Sequence, residues 1–406
     1  MNKKFQLRGG ERLSTDIRKK AYDLANRLSE IRRDLHMNPE LSFEEFETAK
    51  KITKILKENN IKVIENVGGT GVVGILEGKK DGKVVALRGD IDALPIKEQN
   101  DVEYKSQIEG VMHACGHDVH TTSVLGAAMI LSSVRDKLRG TVKFIFQPAE
   151  EKNQGAKDMM KDNVLKDPDV DCIFGLHTKP SIAAGKVGVK AGPMMAAVDR
   201  MTITVRGEGG HAAIPEQTRD SIVASSNLVQ NLQTIVSRNV SPFENVVVSI
   251  GTINGGQAWN VIADEVVMKG TVRSYNPEIQ KKIPEMMNRI VKNSCSALNT
   301  EGEVDYKFDL PAVINDKKAA EIGQKAVEKI VGKEGAIVPE LTGGGEDFAI
   351  FMEEVPGCFY FLGVRNEDKG IIYPWHHPKF DADESSLPVG AGILAQSAFD
   401  YLDNEG

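Results

Sequence analysis

Several short stretches hold residues that could do chemistry together: Asp90-Ile91-Asp92, His113-Ala114-Cys115-Gly116-His117-Asp118, Glu150-Glu151, His177 and His376-His377. A soft thiolate, imidazoles and carboxylates form a ligand set for a borderline divalent metal. Taken singly, each stretch is ordinary. Glu150-Glu151 fits a solvated charge pair, His177 a hydrogen-bonded histidine, the aspartates loop caps, and Cys115 a buried, inert thiol. Their joint occurrence is not ordinary. One tetrahedral ion needs four ligands. Cys115, His117, Glu151, His177 and His376 exceed that, with Glu150 and two aspartates left over. The surplus suits two metals sharing a bridging water, about 3.5–4 Å apart. Cys115 could instead be a thiol nucleophile, but the neighbouring histidines favour the ligand reading.

The elements that must position these residues are apolar runs. Asp90 and Asp92 follow Val84–Leu87, Glu150-Glu151 follow Val142–Phe146 (interrupted by Lys143), and His177 follows Cys172–Leu176. His376 comes soon after Phe359–Leu362. Helices are expected over 14–34, from Ser42 (with Ser42-Phe43-Glu44-Glu45 as a capping box), over 121–134, with the 113–118 cluster just before it, and near 317–331. Strands alternating with helices predict a mainly parallel sheet with helices on both faces. Ligands bind outside the carboxyl ends of such strands, where these clusters fall. Gly69-x-Gly71-x-x-Gly74 matches a dinucleotide fingerprint, but the strand-like Ile75-Leu76-Glu77-Gly78 follows where a helix is required.

From about Gly192 the pattern changes. Strands at 198–205, 246–250, 266–272 and 304–308, with helices at 221–236 and 280–291, run β-α-β-β-α-β. This is the split βαβ, ferredoxin-like order of an α+β unit. The expected organisation is a catalytic domain in two parts, 1–191 and 305–406, with an inserted domain over 192–304.

Composition narrows the function classes. Lys+Arg 51 against Asp+Glu 58 gives a net charge of −7, which argues against a general nucleic-acid or anionic-membrane surface. Hydrophobic residues at 41% and charged residues at 27% have the balance of a soluble globular protein. No apolar run is long enough to span a membrane. Met1–Gly10 has basic residues but no apolar core after them, so no secretory signal is expected and the cytoplasm is the default compartment. Four cysteines in 406 residues are not a disulfide scaffold.

Seven motifs, in order, resemble the M20 peptidase superfamily in its amidohydrolase branch. They are Arg32-Arg33-Asp34-Leu35-His36-Met37-Asn38-Pro39-Glu40-Leu41-Ser42, Gly89-Asp90-Ile91-Asp92-Ala93-Leu94-Pro95-Ile96, His113–Asp118, Gln147-Pro148-Ala149-Glu150-Glu151, Gly209-Gly210-His211-Ala212-Ala213, Gly343-Gly344-Gly345-Glu346-Asp347-Phe348 and His376-His377-Pro378-Lys379-Phe380. That branch includes hippurate hydrolases, indole-acetyl-amino-acid hydrolases and N-acyl-amino-acid deacylases. The resemblance implies two divalent ions, Zn²⁺ or Mn²⁺ with Co²⁺ or Ni²⁺ as alternatives, held by Cys115, His117, Glu151, His177 and His376. It implies Glu150 as general base, Asp92 orienting the site from behind a ligand, and Asn260 near the substrate. It also implies that His211 reaches substrate across a homodimer formed through the inserted lid domain. Gly344, in the glycine run, could offer its N–H to a substrate carboxylate, or be plain loop. The expected reaction is hydrolysis of N-acyl amino acids. Two rivals remain: an inactive relative that binds such ligands, and a cysteine hydrolase using Cys115.

Overall fold

The computed structural model describes residues 9–404; residues 1–8 of the N-terminal stretch read above lie outside them. The chain forms two compact units. The first runs through Gly192 and takes in Asn315–Glu340 and the chain from Ile350 onward; the second holds Pro193–Ile314 and Leu341–Ala349. The insertion read from sequence at 192–304 compares with a unit reaching Ile314, because the strand Glu301–Leu310 pairs along Ala197–Arg206.

The first unit is built on an eight-stranded sheet. Its order is Lys62–Val67, Gly71–Glu77, Arg139–Gln147, Lys80–Asp90, Cys172–Ala183, Gly357–Arg365, Val187–Gly188, Ala336–Ile337. The central pairings are parallel: Lys80–Asp90 lies between Arg139–Gln147 and Cys172–Ala183, and Gly357–Arg365 follows. Antiparallel strands stand at one edge. Gly357–Val364 is buried at every residue, as a strand covered on both faces must be. Leu87, Phe144, Phe174, Leu176, Tyr360 and Leu362 join residues of the helices His117–Ser133 and Leu387–Asn404 in one core. Residues 69–74 of the glycine fingerprint run from a turn into the strand Gly71–Glu77, and no helix opens there.

Local boundaries differ from the expectations in several places. The helix expected over 14–34 is two, Gly9–Asp23 and Ala25–Met37, interrupted at Leu24. The helix expected from Ser42 starts at Phe46, with no side-chain cap bond. The helix expected over 121–134 spans His117–Ser133, so His117 and Asp118 form its first turn. The strand carrying His177 does not end before it but continues to Ala183.

The second unit holds a four-stranded antiparallel sheet, ordered Val246–Gly255, Glu265–Ser274, Ala197–Arg206, Glu301–Leu310. Alternate residues Met201, Ile203 and Val205 turn inward against Leu228 of helix Ser221–Leu232 and Ile283, Met287 and Val291 of helix Pro277–Ser296. No helix among the described residues is long and apolar enough to cross a membrane.

Candidate active site

Cys115, His117, His177, Glu151 and His376 all belong to the first unit, and the fold brings them together. Ligand-type atoms of Cys115, His117 and His177 lie within 4.8 Å of one another, as do those of Cys115, Glu151 and His376. Cys115 belongs to both groups. His177 Nε2 is 3.4 Å from Cys115 Sγ, and His376 Nε2 is 3.5 Å from Glu151 Oε1. A third group, His117, Glu150 and Glu151, meets the same limit.

Each position has a local cause. Gly116 precedes the His117–Ser133 helix at φ 91°, and a Cβ there would sit 2.6 Å from Thr178 Oγ1, so only glycine fits the turn between Cys115 and His117. Glu150 follows Ala149, a buried non-glycine residue at φ 50°. That uncommon conformation turns the chain sharply off the strand Arg139–Gln147. His376 is likewise at φ 61°, and its N–H donates to Ala114 O at 2.9 Å, tying the two histidine-bearing segments together.

Hydrogen bonds fix which ring nitrogens face inward. His117 Nδ1 lies 2.9 Å from Asp92 O and 3.1 Å from Asp92 Oδ1, leaving Nε2 free. His177 Nδ1 lies 2.8 Å from Thr178 O, leaving its Nε2 toward Cys115. His120 is different: its Nε2 accepts the Thr178 N–H at 2.8 Å, so its Nδ1 donates to Asp90 Oδ1 at 2.6 Å. With both nitrogens engaged, His120 is a support. Asp90 is spent on His120 and, at 2.9 Å, on Arg88. In a further grouping of metal-ligand type, Asp90, His117 and His120, the aspartate and His120 are thus already engaged by hydrogen bonds.

The residues fit a cation. His117 Nε2 and Glu151 Oε1 are buried without a hydrogen-bond partner among the described residues, and they face each other 3.9 Å apart. Leaving two such atoms unsatisfied is costly unless a positive charge lies between them. Burial pushes the Cys115 thiol well up, with Glu151 and Glu150 adding to the effect. Burial also pushes His177 well down, helped by His120, and keeps it neutral. Burial opposes charge on His117, but Asp90 and Asp92 raise it well above an ordinary histidine. A buried thiol with a raised pKa is a poor free nucleophile and becomes a thiolate when a metal displaces its proton. His113, in the same motif, is held neutral by burial, down to about 4.

His211, Asn260 and Gly344 lie in the second unit. A short bridge pairs His211 with Val261, and Ala212 N–H donates to Asn260 O at 3.1 Å, so His211 and Asn260 are neighbours on exposed backbone. His211 Nδ1 accepts the Ala213 N–H at 3.1 Å, which directs Nε2 away from its own loop. Gly344 O accepts the Ala196 N–H at 3.1 Å.

Sequence reasoning missed the supports. Ser42 Oγ donates to Asp92 Oδ2 at 2.7 Å, and Glu151 N–H donates to the same oxygen at 3.1 Å. Asp92 thus joins the His117 and Glu151 segments. The Arg32–Ser42 motif carries the sequence signal for them, since none of its residues is a proposed ligand.

The chain is similar to known proteins along most of its length. Residues 86–400 match the family model described as Peptidase family M20/M25/M40. An N-acetylcysteine deacetylase of Bacillus subtilis is 43% identical, over 93% of this chain and 97% of its own. An IAA-amino acid hydrolase of Arabidopsis thaliana is 40% identical, over 92% of this chain and 84% of its own. The crystal structure of a Bacillus subtilis protein described as a dinuclear metal-binding peptidase from the M20 family is 39% identical. It aligns with a TM-score of 0.83, over 94% of this chain and 99% of its own.

Proposed function

The chain belongs to peptidase family M20/M25/M40, and from that membership we propose that it is a dinuclear metal-dependent amidohydrolase that splits N-acyl amino acids into a carboxylic acid and a free amino acid. One observation carries the proposal: two unsatisfied buried atoms, His117 Nε2 and Glu151 Oε1, face each other among Cys115, His177 and His376, with Glu150 alongside. Cys115, His117, Glu151, His177 and His376 would hold two divalent ions, Zn²⁺ or Mn²⁺, with Co²⁺ or Ni²⁺ able to substitute. When bound, such ions acidify a water and polarise a carbonyl.

The chain's own residues do the rest. Glu150 removes a proton from the attacking water and returns it to the leaving nitrogen. Asp92 fixes the His117 tautomer through Nδ1. His211 donates to the developing oxyanion, a contribution of about 2.7–4 kcal/mol for such donors. It does so in the site of a second subunit, the homodimer forming through the second unit as a lid. Asn260 lies near the substrate, and Gly344 offers its N–H to a substrate carboxylate. The dimer, the lid role and a cytoplasmic location are carried by the sequence resemblance and composition.

The substrate class is supported by relatives named for N-acetylcysteine and IAA-amino acids. The test is a panel of N-acetyl, benzoyl and longer-chain acyl amino acids with protein reconstituted separately with Zn²⁺, Mn²⁺ and Co²⁺. Equimolar release of acid and amino acid, abolished by a chelator, is expected. Absence of turnover across the panel with two ions bound overturns it.

A further inference from the structure

Arg32 connects two segments that carry proposed ligands. It lies in the helix Ala25–Met37 and is fully buried. Its Nε donates to Asp118 Oδ2 at 2.7 Å and its Nη2 to Asp381 Oδ1 at 2.7 Å. Asp118 directly follows His117, and Asp381 stands on the segment that follows His376. The guanidinium stacks 4.7 Å from the Tyr104 ring centroid, and the Tyr104 hydroxyl donates to Asp381 Oδ2 at 2.8 Å. His36, one turn on, lies 2.8 Å from Asp118 Oδ2.

We propose that Arg32 is a positioning residue: its fork holds the His117 and His376 segments at the separation their metal ligands require. Three observations converge. His376 has a left-handed backbone that the surroundings must impose, since such strain persists only where neighbours over-determine it. The planar guanidinium meets two carboxylates in fixed directions, which a lysine ammonium cannot reproduce. A buried ion cluster adds little net stability compared with an apolar replacement, so geometry is the better account of it. The rival account is an ordinary buried ion network that only supports the fold.

The inference rests on the ligand reading above, and the experiment separates the two. Wild type, Arg32→Lys, Asp381→Asn and Lys143→Met are purified, stripped and titrated with Co²⁺, following the thiolate-to-cobalt absorption band and calorimetric binding. Lys143 is a stability control: it is buried, and it donates to the carbonyls of Val164, Lys166 and Pro168, none of them a proposed ligand. Wild type failing to bind two ions, or lacking the thiolate band, sinks the ligand reading itself. With wild type intact, Arg32→Lys and Asp381→Asn are expected to fold yet bind at least one ion about 10–100-fold more weakly, with a shifted cobalt spectrum. Lys143→Met should melt earlier with wild-type affinity and spectrum. Wild-type affinity and spectrum in either folded Arg32→Lys or Asp381→Asn overturns the clamp. So does failure of both to fold with metal present, because the network would then be holding up the fold and not the ligands.

Discussion

The Glu45 carboxylate accepts the backbone N–H of Ala149 at 2.9 Å, across 104 residues of sequence, and so holds the turn that delivers Glu150. Its other oxygen accepts the Thr70 hydroxyl. Glu45→Ala would leave the Ala149 N–H buried and unpaired at a residue already in a left-handed conformation. The expected cost is about 1–3 kcal/mol in urea unfolding. The turnover number should also fall in the folded fraction, because the Glu150 turn loosens. Unchanged turnover per folded molecule would show that Glu45 supports the fold alone.

The same pair shows what sequence could and could not reveal. Ser42-Phe43-Glu44-Glu45 has the form of a capping box, yet Ser42 serves Asp92 and Glu45 serves Ala149 and Thr70. The next helix starts without a side-chain cap. Capping and long-range support use the same side chains, so spacing alone cannot tell them apart. The central strands were legible because runs such as Phe359–Leu362 are apolar throughout. Cys115 and its neighbours were legible because few other settings combine those residue types. Arg32 and Asp381 were not, because nothing local marks a pair 349 residues apart.

Glu150 and Glu151 are adjacent but should fail differently. Glu150→Gln should retain metal and lose at least ~10²–10⁴ in turnover, the usual scale for a general base. Glu151→Gln should lose metal as well, since its Oε1 faces both His117 and His376. Metal analysis of the two purified variants decides it. Equal metal loss in both would reverse the assignment.

Cys115 should be shielded while metal is bound. In the stripped protein burial keeps its thiol protonated, so iodoacetamide should label it slowly at neutral pH and faster as pH rises. In the loaded protein labelling should be slower at every pH. A cysteine nucleophile predicts the opposite: rapid inactivation of loaded enzyme, with activity that survives chelation. Mass spectrometry of the Cys115 peptide distinguishes the two.

His36 should make stability fall on the alkaline side. Burial and Arg32 push its pKa down, but Asp118 and Glu98 outweigh them and raise it from 6.5 to about 9. The groups facing it are Arg32, Asp118, Glu98, Tyr104 and His113. A group whose folded pKa is raised contributes stability that is complete below its unfolded value and lost as pH climbs through the folded one. The window therefore runs from about 6.5 to about 9. Melting of stripped wild type should decline across it, and His36→Gln should melt lower at pH 6 with a flatter profile. Parallel profiles for the two proteins would exclude His36 as the source.

The second unit needs a reason to exist, because the proposed ligands and Glu150 all lie in the first. His211 sits exposed beside Asn260, with Nδ1 occupied by its own loop and Nε2 directed away. The resemblance assigns such a histidine to the partner's site, and co-expression tests that directly. Glu150→Ala and His211→Ala homodimers should each be nearly inactive. In a mixed dimer acting in trans, one site carries both lesions and the other carries neither. Random assembly makes about half the dimers mixed, so about a quarter of wild-type activity should return. If His211 serves its own subunit, every site carries one lesion and nothing returns. Dead mixtures in which tagged purification has verified mixed dimers would sink the trans assignment while leaving the metal site untouched.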